Sequence, residues 1–132
     1  MIPNARECAL LLLSAVESKV VELNKPVSRF RISEASLLRT LGRQRLDSAL
    51  LAEVQEWLLA ADWVLFFAGP TYAMIKATSV EGWTRLASKR IGGELEQVRQ
   101  GTFDFTKLDH LLETARSHAD DEDRGFEPPR DE

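Results

Sequence analysis

The chain has one cysteine, Cys8, and two histidines, His110 and His118, in 132 residues. A single cysteine excludes an internal disulfide and any cysteine-based zinc cluster, and the two histidines lie too far from Cys8 in sequence to mark a metal site. A reducing, cytoplasmic location is the expectation. Long apolar runs are missing too. The stretch around Ala9 to Val16 is far shorter than a bilayer span, and Glu7, Glu17 and Lys19 flank it without a basic leader, so it reads as a buried helix and neither a membrane segment nor a targeting signal. Phosphate loops and dinucleotide fingerprints are absent, since Gly92-Gly93 is an isolated pair inside a helical pattern. No nucleophile, base and orienting acid fall into a recognisable relay, because sequence neighbours such as Asp109 and His110 point in different directions on a helix. A binding module that needs no cofactor, rather than an enzyme, is expected.

Positive charge is lacking from Leu46 to Ile75, which holds no lysine or arginine at all. The net charge of -4 is otherwise distributed unevenly. Residues 28–91 carry nine basic side chains against six acidic, a net of +3, whereas residues 92–132 carry twelve acidic against five basic. The middle of the chain is thus mildly basic and the acidity lies beyond it. An excess of this size is also common on an ordinary solvated surface.

Helical periodicity runs from Asn4 to Leu23, with Cys8, Leu12, Ala15, Val16, Val20 and Leu23 on one stripe and leucines 10 to 13 going round the helix, so a second face also needs cover. Asn24-Lys25-Pro26 stops it, since proline disfavours helical geometry in the residue before it. Arg29 to Ser33 alternates charged and apolar, which predicts a short strand with Phe30 and Ile32 inward. Ser33 caps a helix carrying Leu37, Leu38 and Leu41, and Gly42 ends it. Arg43, Gln44 and Arg45 form a turn, and a second helix starts at the N-cap Asp47 and runs to about Ala61, with Leu46, Leu50, Val54, Trp57, Leu58 and Ala61 facing the core.

Trp63 to Phe67 and Tyr72 to Ala77, joined by Gly69-Pro70, predict a β-hairpin whose first strand is apolar on both faces and needs cover on both. A helix from Ser79 to about Val98, bent at Gly92-Gly93, would present Val80, Trp83, Ala87, Ile91, Leu95 and Val98 and would serve as the cover for the hairpin's second face or as a dimerisation arm. All three tryptophans, Trp57, Trp63 and Trp83, take core positions in this reading. A last short helix is predicted with Thr106 and Asp109 as its capping pair and Leu108, Leu111 and Leu112 apolar. Residues 119–132 are charged, proline-bearing and poor in hydrophobes, and are expected to be a disordered acidic tail behind one domain spanning residues 1–118.

The order strand, helix, turn, helix, hairpin from Phe30 to Ile75, preceded by the helix from Asn4 to Leu23, resembles the winged helix-turn-helix superfamily. The resemblance is architectural, covers a little over half the chain and carries no diagnostic motif. It implies an α+β, mostly helical fold, a winged helix-turn-helix with added N- and C-terminal helices, and duplex DNA binding, commonly as a homodimer. In such a unit the start of the second helix enters the major groove, which corresponds here to Arg43, Gln44, Arg45, Ser48, Ala52 and Gln55. Arg29, Arg31 and Lys76 would hold phosphates. The basic gap from Leu46 to Ile75, with Glu53 and Glu56 on that helix and an uncharged wing at Ala68-Gly69-Pro70-Thr71, gives the alternative: a winged-helix module that binds a protein partner instead of DNA.

Overall fold

The computed structural model describes residues 1–113; the proposed acidic tail lies outside the described residues. The chain divides into two compact units at Thr84–Arg85. The first is α+β, with helices α1 (Ala5–Leu23), α2 (Glu34–Leu41), α3 (Ser48–Ala60) and the single turn α4 (Ala77–Val80), and strands β1 (Arg29–Ser33), β2 (Trp63–Ala68) and β3 (Thr71–Lys76). The strands make one three-stranded antiparallel sheet in the order β1-β3-β2.

Local chemistry fixes the helix ends. Asn4 Oδ1 accepts the Glu7 amide at 2.8 Å and the Glu7 carboxylate accepts the Asn4 amide at 2.9 Å, a reciprocal capping box that starts α1. Asn24 closes α1 in the left-handed region at φ 54°. Ser33 Oγ accepts the Ser36 amide at 3.1 Å to open α2, and Asp47 Oδ1 accepts the Ala49 amide at 3.0 Å to open α3. Gly42 ends α2 at φ 68°, and a Cβ built there would stand 3.3 Å from Pro3 Cδ, so both conformation and space favour glycine. Gly69 at φ 74° followed by Pro70 makes the two-residue hairpin turn, where a positive φ at the first central position suits the twist of the strands.

The core lies where α1, α2 and α3 meet one face of the sheet. Cys8, Leu12, Leu37, Leu41, Val54 and Leu58 are fully enclosed with Leu65, and Trp63, Tyr72 and Met74 close the sheet side. The register pairs Phe30 with Met74 and Leu65 with Met74, so these side chains share the inner face. Arg29 pairs with Ile75 and Arg31 with Ala73, on the outer face with Val64 and Phe66. At the hairpin's far end, Asp62, itself left-handed at φ 69°, binds the Thr78 amide at 3.1 Å and its hydroxyl at 2.7 Å, which fixes α4 against the turn after α3.

Several expectations are corrected. The helix from Ser79 to Val98 is not continuous: α4 stops at Val80, residues 81–87 are irregular, a 3-10 turn spans Ser88–Ile91, and α5 covers Gly92–Gln100. Gly82, Gly92 and Gly93 each weaken helix by about 1 kcal/mol relative to alanine. No described residue after Ile75 is buried, so packing does not repay that loss. The glycine pair opens α5 instead of bending it. Trp57 is 48% exposed and Trp83 58% exposed; only Trp63 is a core tryptophan. Leu50, Leu51, Val54 and Leu58 fill the inner face of α3, leaving Trp57 on its flank with the Arg6 guanidinium 5.9 Å from the ring centroid. Ala61 and Ala15 are also exposed. The outer side of β2 is only partly sheltered, with Phe66 exposed there, and Phe67 on the inner face is exposed near the hairpin tip.

In the second unit a 3-10 turn at Phe105–Leu108 leads into a helical stretch at residues 109–113. Its cap is Asp104, not Thr106: the Asp104 carboxylate accepts the Thr106 hydroxyl at 2.6 Å and the Thr106 amide at 3.1 Å. These bonds, with the Lys107 charge nearby, hold the Asp104 carboxyl below its ordinary range. Among the described residues no helix is long and apolar enough to cross a membrane.

Candidate nucleic-acid interface

The left-handed bend at Gly42 reverses the chain, and residues 43–47 lead to the start of α3. The turn ends at the Asp47 cap, so Ser48 is the first helical residue. Gln44, Arg45 and Ser48 are all exposed in the stretch from the turn to the first residue of α3, and Arg45 makes no ion pair or hydrogen bond among the described residues. An unpaired guanidinium at the opening of a helix meets a phosphate or a guanine edge without first breaking a protein contact.

Arg43 is differently placed. Its Nη1 donates to the Leu41 carbonyl at 2.7 Å and to the Cys8 sulfur at 3.3 Å, and the residue is half-buried. It satisfies a carbonyl at the C-terminus of α2, where a positive charge also complements the helix dipole. Gln55 is half-buried as well, and its Nε2 donates to the Leu65 carbonyl at 2.8 Å, tying α3 to β2. Both side chains thus hold intramolecular bonds in this structure.

The remaining positions are scattered. Arg29 and Arg31 leave the sheet on the face opposite the helices. Lys76 stands at the end of β3 far from the hairpin turn, with Nζ 5.8 Å from the Trp63 ring centroid. Beside it a cavity of about 280 Å3 is lined by Leu13, Val16, Val20, Pro26, Val27 and Trp63, with Glu17 and Lys76 as its charged members. The structure therefore brings Gln44, Arg45 and Ser48 together and does not bring Arg29, Arg31 or Lys76 to them.

Arg39, not singled out by the sequence, is exposed on the solvent side of α2 in its last turn and makes no ion pair among the described residues. Its signal was the helical spacing itself, since Leu37 and Leu41 face inward and Arg39 falls opposite. Downstream on α3 the exposed residues are Ala49, Ala52, Glu53, Glu56, Trp57, Leu59 and Ala60, none of them basic. The Asp47 carboxylate occupies the amide end of α3. Positive potential is therefore confined to the turn and does not extend along the helix. Among the described residues no three His, Cys, Asp or Glu side chains cluster as metal ligands. Comparison of the chain with protein-family models, with characterised proteins and with solved structures finds no match.

Proposed function

We propose that residues 1–84 form a winged helix-turn-helix that binds duplex DNA in transcriptional control, with the turn before α3 and the first turn of α3 as the contact. One observation carries this reading: α1, β1, α2, a left-handed glycine bend, α3 and a hairpin follow one another with strand order β1-β3-β2, and Arg45 stands exposed and unpaired at the bend. Arg45 and Gln44 supply base or phosphate contacts, Ser48 a phosphate hydrogen bond, and Arg39 a further phosphate contact. Arg43 and Gln55 act indirectly, by holding α2 and α3 in place.

The test is duplex affinity measured by fluorescence anisotropy across a salt series. Binding to random duplex is expected to weaken steeply with salt, and Arg45→Ala is expected to lower the logarithmic slope by about one. Absence of duplex binding at low salt overturns the reading.

A second reading draws on a separate observation. Glu53 and Glu56 are exposed on α3 beside small residues, the wing is an uncharged two-residue turn, and no basic side chain lies between Arg45 and Lys76. Such a helix face fits a basic protein surface better than a phosphate backbone. Failure of duplex binding at low salt would favour this protein-interaction module.

A further inference from the structure

The second unit exposes its hydrophobic side chains on a regular pattern. Ile91, which precedes α5, and Leu95 and Val98 within it recur at helical spacing, and Leu108, Leu111 and Leu112 do so through the turn and helix that follow. Their exposures run from 40% at Leu108 to 72% at Leu112, Phe105 is 60% exposed, and no described residue of the unit is buried. A nine-residue helix flanked by 3-10 turns is too short to persist in water on propensity alone. These residues keep a defined fold only if something covers their apolar side.

We propose that the cover is a second copy of the same arm, so that residues 85–113 of two chains pair about a two-fold axis and make the protein a homodimer. Area supports this occupant: seven large side chains at these exposures offer roughly 600 Å2 per arm, on the order of 1,200 Å2 for the pair, which reaches the size of a specific interface. Charge supports it as well. The described arm holds five basic and five acidic residues, with Arg85, Lys89 and Arg90 at its start and Asp104, Asp109 and Glu113 towards its end. Two copies related by a two-fold axis perpendicular to the arms, and so antiparallel, set the basic start of one arm against the acidic end of the other. The inference is independent of whether the first unit binds DNA or protein.

Light scattering on the full chain at micromolar concentration tests it. The native protein is expected at twice the monomer mass, Leu95→Glu with Leu111→Glu at the monomer mass, and the thermal transition of the first unit is expected to persist in that variant. Leu10→Glu with Leu11→Glu, on the exposed side of α1, is expected to remain dimeric. A monomeric native chain overturns the proposal, including the case where hydrogen exchange shows the arm protected within its own chain. So does a dimer that survives the arm substitutions, or one that dissociates on the α1 substitutions.

Discussion

The Arg43 guanidinium rests against the Cys8 sulfur at 3.3 Å, joining the turn after α2 to the first turns of α1. Cys8 is wholly buried and is the chain's sole thiol. Arg43 therefore covers a core residue while its other contact, at 2.7 Å, satisfies the Leu41 carbonyl. Arg43→Ala is expected to cost on the order of 1 kcal/mol, the usual worth of such a hydrogen bond. Cys8 reports on it directly: an aromatic disulfide reagent should react very slowly with the native protein and markedly faster with the variant. Equal rates would mean that Arg43 does not hold the turn closed.

On the proposed DNA-binding reading, Arg45 separates from Arg43 by role. It is exposed and makes no described bond, so Arg45→Ala is expected to leave the melting temperature unchanged while weakening duplex binding at every sequence tested. Comparing the two variants by thermal denaturation and anisotropy distinguishes a structural arginine from a contact arginine two residues away.

Gly42→Ala is expected to destabilise the first unit by about 1–2 kcal/mol, the cost of a left-handed backbone with a Cβ. The added methyl would also meet Pro3 at 3.3 Å, so the N-terminal segment must shift. Gly42→Asn should lose less, because asparagine tolerates this region better than alanine. Denaturant midpoints at constant slope measure both.

What was legible in the sequence was the chemistry that acts locally. Ser33 and Asp47 cap helices, Gly42 breaks one, and Gly69-Pro70 turns a hairpin, because each acts within a few residues of itself. The alternation from Arg29 to Ser33 likewise sorts Phe30 and Ile32 inward. What was illegible depends on distant partners. Trp57 has the spacing of a core residue, yet leucines on α3 already fill the core and Arg6 stacks on its ring. The predicted helix from Ser79 has the correct period but nothing described to bury its apolar side, so three glycines break it. The bonds that Arg43 and Gln55 make to the Leu41 and Leu65 carbonyls were equally hidden, because residue type cannot reveal which carbonyls stand within reach.

The Asp104 cap gives a pH signature. Its carboxyl is held below the ordinary value of 3.8 by the Thr106 hydroxyl and amide, with Lys107 adding to the effect. A depressed folded value means the cap is fully present above the unfolded value and is lost as pH falls through the folded one. The Thr106 amide resonance is therefore expected to hold constant from neutral pH down to the ordinary carboxylate range and to move only below it. A midpoint at or above 3.8 would remove the cap from the account of this turn.

The bond from Gln55 to Leu65 guards a sheet edge. In the order β1-β3-β2, β2 has one side unpaired. A two-residue turn makes Ala68 and Thr71 the pair that exchanges both hydrogen bonds, and alternation then directs the backbone groups of Leu65 and Phe67 away from β3. Such an edge, apolar and carrying an exposed Phe67, is a template for adding a foreign strand. Gln55 occupies the Leu65 carbonyl at 2.8 Å and so removes an acceptor from the middle of that edge. Gln55→Ala is expected to lose about 1 kcal/mol of stability and to leave the carbonyl open to a second chain. Gln55→Glu, unable to donate when ionised, should lose at least as much stability but add a charge that repels an incoming carbonyl edge. Aggregation followed by turbidity on warming is therefore expected to rise from native to Gln55→Glu to Gln55→Ala. If both variants aggregate alike, lost stability alone explains the effect; if neither does, the edge is protected by other means.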